Sequence, residues 1–147
     1  MNLEELGNLG EFIAAIATLA TLVYLALQIR QNTRSVQAQS HHAITDSFNH
    51  LNGIVGTDVA AARVLRLGME GLENLSDDEQ ASFGFLMLAY MRIFETLYFQ
   101  RENSVMSDQL YLAEQGSTHW MFSHAGVRDW WNSNEISFSP EFRHNVD

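Results

Sequence analysis

Two histidines and an aspartate recur at four-residue intervals near the middle of the chain: His42, Asp46 and His50. On an α-helix, positions i, i+4 and i+8 lie along one face. Imidazole and carboxylate groups together suit zinc or iron, and Glu95 or His119 could supply a further ligand after folding. The spacing therefore predicts either a metal site, in an enzyme or a sensor, or a solvated helix face that carries histidines. We favour the solvated face.

A second polar feature interrupts the apolar stretch Phe83–Phe99, in which Arg92 and Glu95 stand three residues apart. That spacing lets the two side chains pair on a helix. One interpretation is a buried ion pair that fixes how the helix packs, and this is the one we favour. The other is a desolvated carboxylate with a raised pKa, near Tyr90 and Tyr98, that transfers protons.

Other chemistry has little support in the sequence. The chain has no cysteine, which excludes disulfides, thiolate metal ligands and a cysteine nucleophile. Paired zinc-protease histidines, phosphate-binding loops, nucleophile elbows and dinucleotide fingerprints do not occur. A formal net charge of −10 would repel a phosphate backbone, so nucleic acid is not an expected partner. We predict no cofactor and lean towards a protein that is not an enzyme.

The longest apolar segment lies near the N-terminus and runs from Phe12 to Ile29 without a formal charge. As a helix it would extend about 27 Å, close to the ~30 Å hydrocarbon core of a bilayer. We therefore predict a transmembrane helix that meets membrane lipid. The alternative is a buried helix of a soluble bundle that binds a hydrophobic ligand or a partner helix.

The flanks of the apolar segment predict its orientation. Acidic residues precede it, with no lysine or arginine among them, whereas Arg30 and Arg34 follow it. Because positive charges are retained on the cytoplasmic side, we expect a single pass through the cytoplasmic membrane with the C-terminal part in the cytoplasm.

Small residues recur along one side of the same segment, at Gly10, Ala14, Thr18 and Thr21. Small side chains at such spacing let two membrane helices approach closely. The pattern predicts association of this helix with itself or with another membrane protein.

The rest of the chain has helical patterns and helix-capping residues but no alternating strand pattern. We expect the first helix to continue to about Asn52 and to end at Gly53 and Gly56. The predicted domains are an N-terminal segment with the transmembrane helix at 1–30 and a helical cytoplasmic domain at 31–147. The predicted caps and starts of the later helices are Thr57 or Asp58, Ser76 with Glu79, Ser107, Ser123, and Ser139 with Pro140. Gly68 and Gly71 are predicted to close the second helix. The fold class is all-α, a transmembrane helix continuing into a small cytoplasmic helical bundle.

Two apolar features later in the chain have alternative interpretations. Phe83–Phe99 is long enough to suggest a second membrane span, but Arg92 and Glu95 near its centre make that placement costly. We therefore expect it at the centre of the bundle. Tryptophan side chains favour membrane interfaces as well as cores, and core packing is expected for Trp120, Trp130 and Trp131.

Four blocks of the sequence resemble a family of uncharacterised bacterial membrane proteins. They cover most of the chain in order: GNLGEFIAAIATLATLVYLALQIRQNTRSV at Gly7–Val36, FLMLAYMRIFETLYFQ at Phe85–Gln100, GVRDWW at Gly126–Trp131 and FSPEFRHNVD at Phe138–Asp147. The resemblance implies an N-terminal membrane helix joined to a helical domain. It implies no activity, cofactor or catalytic residue. The function we expect is therefore that of a non-enzymatic single-pass membrane protein that acts by association.

Overall fold

The computed structural model describes residues 2–146, apart from the side chains of Leu3, Glu5 and Leu110. Within that range the secondary structure is helical and contains no strand, which confirms the predicted all-α fold. The helices are α1 (Leu3–Thr57), α2 (Val59–Glu70), α3 (Asp77–Glu102), α4 (Asp108–Phe122), α5 (Ala125–Asn134) and α6 (Pro140–Val146). Single 3-10 turns at Leu72–Asn74 and Glu135–Ser137 precede α3 and α6.

The chain separates into two compact units, one ending at Ala38 and the other beginning at Gln39. The first unit consists of the N-terminal part of α1. The second unit, which we call the bundle, contains the end of α1 and all later helices.

Helix α3 is the central helix of the bundle and packs against α2, α4 and α5. Its buried side chains are Phe83, Met87, Tyr90, Met91, Ile93, Phe94 and Leu97. The end of α1 contributes Ile44 and Leu51 to the same core, and Phe48 packs with its ring centroid 5.8 Å from that of Phe94. Much of the apolar stretch of α3 is therefore buried in the bundle, as its sequence predicts, although Phe85 and Phe99 are exposed.

Local capping groups start α2, α3 and α6 at the predicted positions, whereas the N-cap of α5 is His124 and not the predicted Ser123. The Asp58 carboxylate accepts hydrogen bonds from the Ala60 and Ala61 amides at 2.8 and 3.3 Å and begins α2. Ser76 and Glu79 form the capping box of α3. Pro140 occupies the first position of α6, where its missing N–H costs no helical hydrogen bond.

Gly71 closes α2 as predicted, since the helix ends at Glu70 with Gly71 as its C-cap. Gly53, Gly56 and Gly68 end no helix, because α1 continues to Thr57 and α2 continues through Gly68. Glycine lowers helix stability without forbidding the conformation, so packing around these positions decides where each helix ends.

Gly68 has a packing role instead, because α2 and α5 come closest at Gly68 and Gly126. A Cβ atom added at Gly126 would overlap the carbonyl oxygen of Gly68, and one added at Gly68 would overlap the ring of Phe83. Both glycines are buried. The contact between the two helices therefore requires residues without side chains at this point.

The aromatic residues near the C-terminus mostly belong to the core. Trp131 lies 5.1 Å from Phe138 and 5.8 Å from Phe142, measured between ring centroids, and Trp130 is also buried. Trp120 differs, because 56% of it is exposed. Core packing was therefore the wrong expectation for Trp120, which lies on α4 with its ring against that of His124.

Candidate functional site

The apolar segment Phe12–Ile29 lies in the first unit, and none of its side chains is buried. Leu19 is 63% exposed and Ile29 is 67% exposed. Of the helices in residues 2–146, α1 alone is long and apolar enough to span a membrane by length and composition. Large apolar side chains exposed along such a length are unusual on a protein surface in water.

Polar groups within this segment are satisfied inside the helix. The hydroxyls of Thr18 and Thr21 donate to backbone carbonyl oxygens four residues earlier, at 2.9 and 2.8 Å. The Gln28 side-chain amide donates to the Tyr24 hydroxyl at 2.7 Å. Such internal hydrogen bonds lower the cost of placing these groups in a medium without water.

The small-residue positions lie on this same exposed surface. A Cβ atom added at Gly10 would meet no atom within 4 Å, and Ala14, Thr18 and Thr21 are exposed. Space is thus available beside Gly10 for another helix. Association through this side stays a prediction.

Arg92 and Glu95 form an ion pair that links α3 to the segment before α6. The Arg92 Nη1 atom donates to Glu95 Oε2 at 2.6 Å, and Arg92 Nη2 donates to the Ser137 carbonyl oxygen at 2.8 Å. The other Glu95 oxygen accepts from the Ser139 backbone N–H at 2.8 Å. The guanidinium also lies 4.6 Å from the centroid of the Phe138 ring, within cation–π range. Glu95 therefore caps the start of α6 from another helix.

The pair is only partly buried, which differs from the expectation of a buried pair. The Glu95 side chain is 12% exposed, but that of Arg92 is 50% exposed. The contacts of the Arg92 guanidinium with Glu95, Ser137 and Phe138 leave half of its side chain in solvent.

The proton-transfer interpretation of Glu95 required a raised pKa, and the structure contradicts it. Burial raises the pKa of the Glu95 carboxyl, but hydrogen bonds from Ser139 and Arg92 favour the charged form more strongly and leave the pKa below its ordinary value. Tyr90 donates its hydroxyl to Asn52 rather than to Glu95, and the Tyr98 ring packs against Phe142. Glu95 is thus a charged structural group.

The predicted metal ligands His42, Asp46 and His50 are all exposed on α1. Asp46 and His50 border a shallow depression beside Ile93. Over the described part of the chain, no three histidine, aspartate or glutamate side chains are placed so that they could hold a metal ion. Glu95 is engaged by Arg92 and Ser139 instead of joining the histidines, and the metal site stays a prediction.

Two cavities lie beside α4, which sequence patterns did not indicate. The first, about 300 Å³, is bordered by Glu114, His119 and Phe142 and is called the His119 cavity. The second, about 350 Å³, is bordered by Tyr90 and Trp120 and is called the Tyr90 cavity.

No protein-family model, curated protein or solved structure matches this chain.

Proposed function

We propose that this protein is anchored in a membrane by the first part of α1 and acts through association rather than catalysis. The observation that carries the proposal is the segment Phe12–Ile29, which is helical, uncharged, long enough for a bilayer core and exposed along its whole length. Exposed apolar side chains of this kind are stable in lipid, whereas their exposure to water costs free energy.

The free energy of insertion supports a membrane location. Nine residues of the segment are Leu, Ile, Val or Phe, and each contributes roughly −0.3 to −0.6 kcal/mol on the insertion scale, or about −3 to −5 kcal/mol together. The hydroxyls of Thr18 and Thr21 reduce this favourable insertion free energy less than free hydroxyls would, because both are hydrogen-bonded to the backbone.

The proposed orientation places the bundle on the cytoplasmic side of the inner membrane. It rests on Arg30 and Arg34, which follow the apolar segment directly, and on the carboxylates of Glu4 and Glu11, which precede it. The bundle carries most of the other ionisable residues, as a domain in water would.

Association is proposed along the side marked by Gly10, Ala14, Thr18 and Thr21. The partner is a second copy of the chain or another membrane protein, with lipid around both. Kinship with the family of bacterial membrane proteins that the sequence resembles is part of this proposal.

Fractionation and cysteine labelling of the full chain test the anchor and its orientation. After expression in a bacterial host, we expect the protein to stay in the membrane pellet through an alkaline carbonate wash and to be released by detergent. The chain has no native cysteine, so Gly7→Cys and Asn132→Cys each give one labelling site. In intact spheroplasts a membrane-impermeant maleimide should modify Gly7→Cys only, and after lysis it should modify both.

Two results would contradict the proposal. Release of the wild-type protein into the supernatant by carbonate would contradict the membrane anchor. Labelling of Asn132→Cys in intact spheroplasts would show that the bundle has the opposite orientation.

Native mass spectrometry in mild detergent tests association. We expect a defined oligomer or complex for the wild-type chain, and its loss on Ala14→Leu. The control is Ala26→Leu, which makes the same change in the same segment but about 125° around the helix from the small-residue side. A strictly monomeric wild-type protein without a co-purifying partner would contradict association.

A further inference from the structure

The Tyr90 cavity lies entirely within the bundle and has walls from four helices. Phe48 and Asn52 come from α1, Met69 from α2, Tyr90 from α3 and Trp120 from α4. Its volume of about 350 Å³ falls within the ~300–1,000 Å³ range of small-molecule sites. A cavity of this size leaves apolar walls with unfilled dispersion contacts that a ligand could make.

The wall of the cavity is apolar and has no formal charge among its described residues. Aromatic and aliphatic side chains form much of the wall, and Met69 and Met121 add flexible thioethers that adapt to different shapes. The His119 cavity, by contrast, carries Glu114 and a histidine at its border. The Tyr90 cavity therefore excludes ions and admits neutral molecules, because an ion there would lose its hydration without a counter-charge.

One polar pair fixes the hydrogen-bonding character of the cavity. The Tyr90 hydroxyl donates to Asn52 Oδ1 at 3.0 Å, which turns the amide so that its N–H groups face away from Tyr90. Asn52 is an exposed residue, so those N–H groups are open to water or to a bound molecule. Burial raises the pKa of Tyr90, so the phenol stays neutral. The cavity thus offers donors to a ligand acceptor such as a carbonyl oxygen.

We propose that the Tyr90 cavity binds a small, neutral, mostly apolar molecule whose carbonyl oxygen accepts a hydrogen bond from the Asn52 side-chain amide. Trp120, 56% exposed, lies at the border of the cavity, where its indole would cover part of the bound molecule. This site belongs to the bundle and does not depend on the membrane anchor.

Fluorine NMR of a probe tests the site in full-length protein held in detergent. The probe is para-fluoroacetophenone, a neutral aryl ketone. Its isosteres are para-fluorobenzoate, which is charged, and para-fluoroethylbenzene, which lacks the carbonyl. Micelles contribute the same background to every variant, so the comparison between variants isolates binding to the cavity.

Two substitutions are designed to fill the cavity from different helices, Gly56→Leu on α1 and Ser117→Leu on α4. Gly56 borders the cavity, and a Cβ there would meet no atom within 4 Å, so this position is open to a larger side chain. Gly53→Leu is the matched control, equally open but not part of the cavity wall. Thermal melts verify that each variant is folded.

We expect the ketone signal to broaden with wild-type protein and with Gly53→Leu, and ketone affinity to fall at least about tenfold in Gly56→Leu and Ser117→Leu. Asn52→Leu should weaken the ketone about threefold to tenfold while leaving the ethyl analogue nearly unchanged, as expected for loss of one hydrogen bond. The benzoate should not compete. Equal broadening in wild-type and both filled variants, loss of binding in Gly53→Leu as well, or competition by the benzoate would each overturn the proposal.

Discussion

Two apolar helical stretches of similar length are placed in opposite surroundings in this protein. Phe12–Ile29 is exposed at every residue, whereas Phe83–Phe99 contributes the central buried side chains of the bundle. The first has no formal charge, and the second contains Arg92 and Glu95. The difference shows that apolar content alone does not decide between an exposed helix and a core helix. The core helix is distinguished by one ion pair and by the groups that this pair contacts.

The two stretches also differ at their ends. Helix α3 begins at a capping box, in which Glu79 accepts hydrogen bonds from the Ser76 amide and hydroxyl at 3.0 Å each. This capping box fixes the start of the helix in water. The apolar segment of α1 instead continues into polar residues without a break. A membrane helix needs no such cap where its hydrocarbon span ends, because the backbone hydrogen bonds continue through the interface.

A charge placed in the middle of the apolar segment should have the largest effect. Leu22→Arg exchanges a favourable insertion term for an unfavourable one, a change of about 3 kcal/mol or roughly a hundredfold in the membrane-bound fraction. The measurement is the ratio of pellet to supernatant after carbonate extraction. Val59→Arg is the matched control, on an 86% exposed site of α2, and should leave the ratio unchanged. Equal pellet-to-supernatant ratios for Leu22→Arg and Val59→Arg would contradict the different surroundings proposed for the two apolar stretches.

A methyl group at the α2–α5 contact should have the next largest effect. Gly126→Ala forces α5 away from the Gly68 carbonyl, and overpacking of this kind costs about 1–3 kcal/mol. The thermal midpoint of the bundle, followed by circular dichroism, should fall by several degrees. Gly10→Ala, two residues before the apolar segment and with open space around it, should leave the midpoint unchanged. A bundle that tolerates Gly126→Ala would show that the two helices do not touch there.

Removing the carboxylate that caps α6 should have a smaller effect. Glu95→Gln weakens the bonds from Ser139 and Arg92, at a cost of about 1–2 kcal/mol. Glu70→Gln disrupts the Arg66–Glu70 pair, whose side chains are 63% and 57% exposed, and should cost at most about 0.5 kcal/mol. Denaturant unfolding measures both, and amide exchange at Ser139 should accelerate in Glu95→Gln only. A Glu95→Gln protein with the wild-type midpoint would rule out the linking role of the pair.

Acid should weaken the same link, with the smallest effect. Burial raises the pKa of Glu95, but the hydrogen bonds from Ser139 and Arg92 bring it below the ordinary 4.5, so the folded state binds this proton less readily than the unfolded state. The stabilisation is therefore complete above pH ~4.5 and is lost as the pH falls through the lowered pKa. The difference in midpoint between wild type and Glu95→Gln should shrink from pH 7 to pH 3. A constant or growing difference would contradict the lowered pKa.

Local sequence chemistry was sufficient for much of the fold. Asp58, the Ser76–Glu79 box and Pro140 each start a helix where predicted, because capping depends on neighbouring residues. The interior position of α3 followed from its apolar content combined with two charges. These features needed no knowledge of the distant parts of the chain.

Contacts between distant residues could not be predicted. Arg92 and Glu95 are three residues apart, and their pairing followed from helical spacing, but Ser139 lies 44 residues from Glu95 in sequence. The role of Gly68 depends on Gly126, which reaches it only in the folded bundle. The Tyr90 cavity likewise arises from four helices, and no single segment carries a sign of it.

Accessibility of a spin label at Leu19 tests the membrane placement of the first segment most directly. The chain has no native cysteine, so Leu19→Cys in the apolar segment and Val59→Cys in the bundle can each be labelled singly in reconstituted vesicles. We predict that the label at position 19 is accessible to oxygen and shielded from a water-soluble nickel complex, with the reverse at position 59. A label at position 19 that meets the nickel complex, or that is shielded from both reagents, would contradict a lipid-facing helix.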